Sequence, residues 1–166
     1  EEIVDTDLEP HETVRKISRE KAEAVARKHN SGVVIAADTV VLMDGKILGK
    51  PKSPTEAKNM LRALSGKSHV VITGFTIIDT AERRVLSKAV ETKVYIRELS
   101  PAEIAAYVKS GEPLDKAGAY GIQGLGSVIV EKIEGDYFNV VGLPLSALSE
   151  SLKEFGIDVW ENRLRE

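Results

Sequence analysis

The run Val33-Val34-Ile35-Ala36-Ala37-Asp38-Thr39-Val40-Val41-Leu42-Met43 constrains this chain more than any other stretch. Its β-branched content reads as a buried strand, since such side chains pack well on a pleated surface. Asp38 sits inside it. Burying even a neutral polar group without a partner costs roughly 2–7 kcal/mol, so a strand that continues through Asp38 needs compensation beside the carboxylate. A metal ion, a lysine or a cluster of hydrogen-bond donors would supply it, and a metal is the favoured reading. A strand that stops at Ala37 instead leaves Asp38 as a solvated turn residue. The local pattern admits both.

The 166 residues, 42% of them hydrophobic, suffice for one cooperative domain that buries about two-thirds of its unfolded surface. There are no cysteines, which excludes thiolate catalysis, zinc fingers and iron–sulfur ligation and leans mildly towards a cytoplasmic protein. His11, His29 and His69 lie too far apart for a local His-x-x-x-His site and read as surface or hydrogen-bonded residues. A net charge of −3 gives no electrostatic reason to expect nucleic acid or an acidic membrane as partner. No apolar stretch approaches the roughly 20 residues that span a bilayer.

Composition and capping signals place the elements. Pro10 to Asn30 reads as a helix, with Pro10 in the first turn and Gly32 just past the end. At 100° per residue, Val14, Ile17, Ala24 and Val25 form its apolar stripe, and Lys21 falls in the middle of that stripe. Such a lysine either snorkels its ammonium to solvent or faces an anionic site. Asp44-Gly45 is a tight-hairpin dipeptide leading from the apolar run into Lys46-Ile47-Leu48. Ser53, Pro54 and Glu56 spell a capping box for a helix that buries Ala57, Met60, Leu61 and Leu64. Ser68 to Asp79 and Arg84 to Glu98 read as an antiparallel strand pair. Ser100, Pro101 and Glu103 repeat the capping grammar before a helix with Ile104, Tyr107 and Val108 on its apolar face. Gly111 to Gly126 is loop-like, Ser127 to Ile133 reads as a strand, and Leu145, Leu148, Leu152 and Phe155 mark a last helix beginning near Pro144. Together these argue an α/β fold (an α+β mixed sheet with flanking helices) in a single domain.

Two motifs are decoys. Ser65-Gly66-Lys67-Ser68 ends like a nucleotide P-loop, but the required first glycine would fall at Leu61, and the motif closes a helix and enters a strand, the reverse of the needed order. Gly66 suits a helix C-cap. The glycines between 111 and 126 do not make Gly-x-Gly-x-x-Gly between a strand and a helix, so a dinucleotide fold has no support. Gly49-Lys50-Pro51 carries more weight: a tight hairpin returns Lys50 towards the level of Asp38's neighbours. A carboxylate and lysines at one sheet edge suit a metal-bound polyphosphate, whereas an isolated Lys50 is an ordinary surface residue.

The signatures Ala37-Asp38-Thr39-Val40-Val41, Leu48-Gly49-Lys50-Pro51, Leu64-Ser65-Gly66, Ile72-Thr73-Gly74, Asp115-Lys116-Ala117-Gly118-Ala119-Tyr120-Gly121-Ile122-Gln123-Gly124 and Asn139-Val140-Val141-Gly142-Leu143-Pro144-Leu145, in this order, resemble the Maf family of nucleoside triphosphate pyrophosphatases. The resemblance implies a Maf/inosine-triphosphatase-like architecture over residues 1–166, N-terminally truncated: the family's first strand and its Ser-x-Ser-Pro-Arg-Arg phosphate loop are not among these residues. It also implies cleavage between the α- and β-phosphates with a divalent cation, Mg2+ or Mn2+. Asp38 resembles the catalytic acid that holds metal or activates water, and Glu2 the end of an Asp-Glu pair that supplies a second metal-binding carboxylate. Lys21 and Lys50 match phosphate-contacting lysines. Thr39 and Gln123 are similar to the pair that accompanies preference for dTTP and UTP, extending to modified pyrimidine nucleotides.

The hydroxyl and primary amide of Thr39 and Gln123 offer donors and acceptors suited to a pyrimidine's O2, N3–H and O4 edge. A cytoplasmic homodimer is the family expectation, with a nucleoside triphosphate as the small-molecule partner and neither nucleic acid nor membrane. The rival of another class is a non-catalytic nucleotide-binding regulator of septum formation. A purine-directed pyrophosphatase of similar architecture finds no support in Thr39 and Gln123.

Overall fold

The computed structural model describes residues 9–161, and within them the chain forms an α/β fold. The strands are β1 (Val33–Met43), β2 (Lys46–Leu48), β3 (Ser68–Asp79), β4 (Val85–Ile96) and β5 (Val130–Glu134), joined in one sheet of order β2-β1-β3-β4-β5. The helices are α1 (Pro10–Ala26), α2 (Pro54–Leu64), α3 (Pro101–Lys109), α4 (Tyr137–Val141) and α5 (Leu145–Lys153). β1 continues through Asp38, so the reading in which a turn begins there falls. No helix among the described residues is long and apolar enough to cross a membrane. The chain divides into two compact units: the first takes the described residues up to Asp38, Thr73–Val90 and the described residues from Gly142, and the second takes Thr39–Ile72 and Glu91–Val141.

In the first unit, alternation along β3 sorts the two faces of the sheet. Phe75 and Ile77 pack with Leu148 and Leu152 of α5, joined by Val33 and Ala37 of β1. Gly74 and Thr76 face α1. A Cβ on Gly74 would stand 2.4 Å from both the carbonyl carbon and oxygen of Val14, so the helix backbone rests directly on the strand. One turn on, Ser18 Oγ lies 2.9 Å from Thr76 Oγ1, which in turn lies 2.8 Å from Ser87 Oγ. This hydroxyl chain lets α1 bury Ser18 without leaving a polar group unsatisfied.

The face of α1 differs from the expected one. Thr13, Val14, Ile17, Ser18 and Ala22 are buried, whereas Ala24 and Val25 are exposed. The helix also stops at Ala26 rather than Asn30, because Arg27-Lys28-His29-Asn30 offers no apolar side chain to hold another turn against the sheet.

The second unit is built on Val41 and Met43 of β1, Leu61 and Leu64 of α2, Val94 and Ile96 of β4, and Ile104, Tyr107 and Val108 of α3. Positive φ at both Asp44 (49°) and Gly45 (75°) gives the twist a two-residue hairpin needs, and β1 and β2 pair antiparallel with Val41 opposite Leu48. Ser100 and Glu103 form the reciprocal capping box at α3. At α2 the expectation needs correcting: Ser53 Oγ accepts from Glu56 N at 3.1 Å, but the Glu56 carboxylate reaches past the cap to Lys52 N at 2.7 Å. β5 begins at Val130 because Gly124–Val128 coils into a 3-10 turn. α4 escaped the sequence reading; it is tied down by Asn139, whose Nδ2 donates to Val71 O at 3.1 Å and to Thr92 Oγ1 at 3.0 Å.

His69 is buried, with Nε2 2.7 Å from the Tyr120 hydroxyl and no partner for Nδ1 among the described residues. Burial pushes its pKa down from 6.5 to about 4. The folded state therefore holds His69 neutral while the unfolded chain takes up a proton below pH 6.5, so stability is full above that pH and is lost as pH falls towards 4. The loss should approach about 3 kcal/mol in urea unfolding, and His69→Phe should flatten that part of the pH profile. Gly74→Ala should destabilise by about 1–3 kcal/mol or more, read in the same assay, because backbone on both sides must move.

Candidate active site

Asp38 is placed by the alternation of β1. Ala37 packs towards α5, so its neighbour points to the opposite face, the one that α1 covers. There Lys21 meets it: Nζ lies 2.6 Å from Asp38 Oδ1. The aspartate side chain is only 11% exposed, against 42% for the lysine. Lys21 follows Val14 by seven residues, two turns along α1, and its ammonium reaches the carboxylate. Lys21 thus faces an anion, and it is one of the compensations that the sequence reading of Asp38 allows.

Thr39, Lys50 and Gln123 lie in the second unit. The hairpin register, with Val41, Leu42 and Met43 opposite Leu48, Ile47 and Lys46, places Lys50 abreast of Thr39 when carried on two residues. Lys50 is exposed. Beside it, Gly118 N donates to Gly49 O at 3.1 Å, which docks the Asp115–Gly124 segment on the end of this hairpin. Asp115 and Lys116 pair at 2.9 Å, and that hydrogen bond, with charge from Lys116 and a smaller share from Lys50, holds the Asp115 carboxyl below its ordinary range. Lys50, Asp115 and Lys116 thus form one charged group at a loop rich in glycine. Gln123 is exposed, in extended backbone (φ −100°, ψ 173°) ahead of the 3-10 turn Gly124–Val128.

Glu2 lies outside the described residues. Among those described, no group of three or more His, Cys, Asp or Glu side chains is arranged to hold a metal ion. Asp38 remains a hard oxygen donor of the kind Mg2+ and Mn2+ take. The Gly66-Lys67-Ser68 decoy resolves as expected: Gly66 has φ 67° just beyond α2, and Ser68 opens β3.

Residues 1–155 match the family model described as Maf-like protein, and the chain belongs to that family. It is 55% identical over 155 residues to the dTTP/UTP pyrophosphatase of Syntrophomonas wolfei, covering 92% of this chain and 81% of the relative. It is 50% identical over 157 residues to the dTTP/UTP pyrophosphatase of Methanosarcina barkeri, covering 95% and 80%. The protein of the same description from Caldicellulosiruptor saccharolyticus is 46% identical over 168 residues, covering 99% and 84%.

The Lys21–Asp38 pair has a measurable signature. Exposed ion pairs contribute about 0–1 kcal/mol, but removing the partner of a largely buried charge costs more. Lys21→Met, which keeps the stem, should destabilise by about 1–3 kcal/mol in the wild-type background and by much less beside Asp38→Asn. A double-mutant cycle in urea reads the difference.

Proposed function

We propose that this chain is a nucleoside triphosphate pyrophosphatase that hydrolyses dTTP and UTP, and modified pyrimidine triphosphates, to the monophosphate and pyrophosphate. The observation that carries the reading is the Lys21–Asp38 pair, a largely buried carboxylate presented beside a cation in a chain of this family. Relatives at 46–55% identity that are described as dTTP/UTP pyrophosphatases support it.

Water attacks the α-phosphorus, the bond to the bridging oxygen of the β-phosphate breaks, and pyrophosphate leaves with that oxygen. Asp38 takes the proton that the water gives up. Lys21 keeps the carboxylate oriented for this and adds positive charge close to the phosphates, where charge builds on the departing group. Lys50 supplies a second ammonium for the phosphate chain, and Thr39 and Gln123 contact the base edge. A divalent cation, held by Asp38 and Glu2, would supply further charge neutralisation and lower the pKa of bound water. Mg2+ or Mn2+ fits carboxylate oxygens in a chain without cysteine. A cytoplasmic homodimer belongs to the same proposal and is open to sedimentation analysis.

Pyrophosphate release from dTTP and UTP tests the activity. Asp38→Asn, nearly isosteric, should fold normally by circular dichroism yet lose at least about 10³-fold in kcat, the range reached when a proton acceptor is removed. Binding of nucleotide without release of pyrophosphate by the intact protein would instead indicate a sensor.

A further inference from the structure

One carboxylate organises the loop that carries Gln123. Glu112 Oε2 accepts from Leu125 N at 2.8 Å, and Oε1 accepts both from Gly126 N at 2.8 Å and from the Tyr107 hydroxyl at 2.8 Å. That same hydroxyl accepts from Gly121 N at 3.2 Å. The loop is therefore held two residues before Gln123 and two and three residues after it, by side chains that belong to α3 and to the turn that follows. Its base is also pinched: a Cβ on Gly126 would stand 2.1 Å from Gly121 O and 2.5 Å from the Tyr107 hydroxyl. Gln123 sits between these anchors, exposed to solvent.

The protonation states suit the task. Desolvation opposes charge on Glu112, but hydrogen bonds from the Leu125 and Gly126 N–H groups and from Tyr107 outweigh it and hold the carboxyl below its ordinary range. Burial pushes the Tyr107 phenol up, so it keeps the proton it donates. An ionised carboxylate accepts on both oxygens, and no neutral side chain of this shape does the same.

We infer that Glu112 and Tyr107 are positioning residues for base discrimination: they fix the backbone on both sides of Gln123 so that its carboxamide presents donor and acceptor at one place. The inference rests on the reading of Gln123 as a base contact. A carboxamide distinguishes a uracil edge, with N3–H and O4, from a cytosine edge, with bare N3 and an amine, only while its own position is set to within roughly 0.5 Å. The side-chain hydrogen bonds of Glu112 and Tyr107 go to each other and to this loop and none goes to Lys50, so freeing the loop relaxes selection of the base more than it weakens turnover.

The test compares kcat/KM for UTP and CTP, which differ in ring edge and share everything else. Glu112→Gln leaves one acceptor oxygen and turns an amide NH2, a donor, towards a backbone N–H, and Tyr107→Phe removes the hydroxyl alone. Each should lower the UTP/CTP ratio by about tenfold, the scale of one lost hydrogen bond. Gln123→Ala should lower it comparably, and Glu112→Gln added to Gln123→Ala should change the ratio no further. Equal losses on UTP and CTP in both clamp variants, or a ratio kept at the wild-type value while Gln123→Ala lowers it, would overturn the inference and leave the proposed activity standing. A wild-type ratio in Gln123→Ala would remove the reading of Gln123 and the inference with it. Absence of pyrophosphate release from UTP by the wild-type protein would remove the activity itself.

Discussion

The contact on which the first unit depends is backbone against backbone, α1 lying on β3 at Gly74 with no side chain between them. Any spacer would lift the helix from the sheet. Because the approach is so close, Ser18 reaches Thr76 directly, and Lys21, one turn further along, reaches Asp38. Geometry that looks like a property of the ion pair is inherited from a missing methyl group on the adjacent strand. The glycine of the Ile72-Thr73-Gly74 signature finds its explanation here.

The elements whose boundaries were legible are those in which local chemistry and tertiary packing agree. Val33–Met43 and Lys46–Leu48 follow from β-branched residues either side of Asp44-Gly45, whose positive φ values only a few residue types accept. α2 and α3 announce themselves by Ser-Pro-x-Glu, and Ser68–Asp79 by its apolar run. Where the two levels diverge, packing decides. The composition of Arg27 to Asn30 permits helix, but nothing there can be buried. Ser127 to Ile129 alternates like a strand, yet the glycines before it let the chain coil into a 3-10 turn. α4 has five residues and is held by one buried asparagine, a signal that periodicity does not carry.

The candidate site was legible as two anomalies. A carboxylate in an apolar strand and a lysine on an apolar stripe each call for a partner, and seventeen residues apart in sequence they supply one another. What the sequence did not reveal is the support around Gln123. Tyr107 fits the apolar face of α3 by its ring, and the need of its buried hydroxyl for a partner is the available clue. Glu112 carried no signal, because its role comes from backbone groups more than ten residues later in the chain.

The path of residues 121 to 126 is thus written outside those residues. Its shape resides largely in a phenol and a carboxylate on neighbouring segments, with one further bond from Ser127 Oγ to Gly124 O at 2.7 Å, while the exposed Leu125 offers only its backbone N–H. A loop supported in this way separates form from content: side chains at its rim can be exchanged, and new ligand preferences acquired, without the chain having to rediscover how to turn.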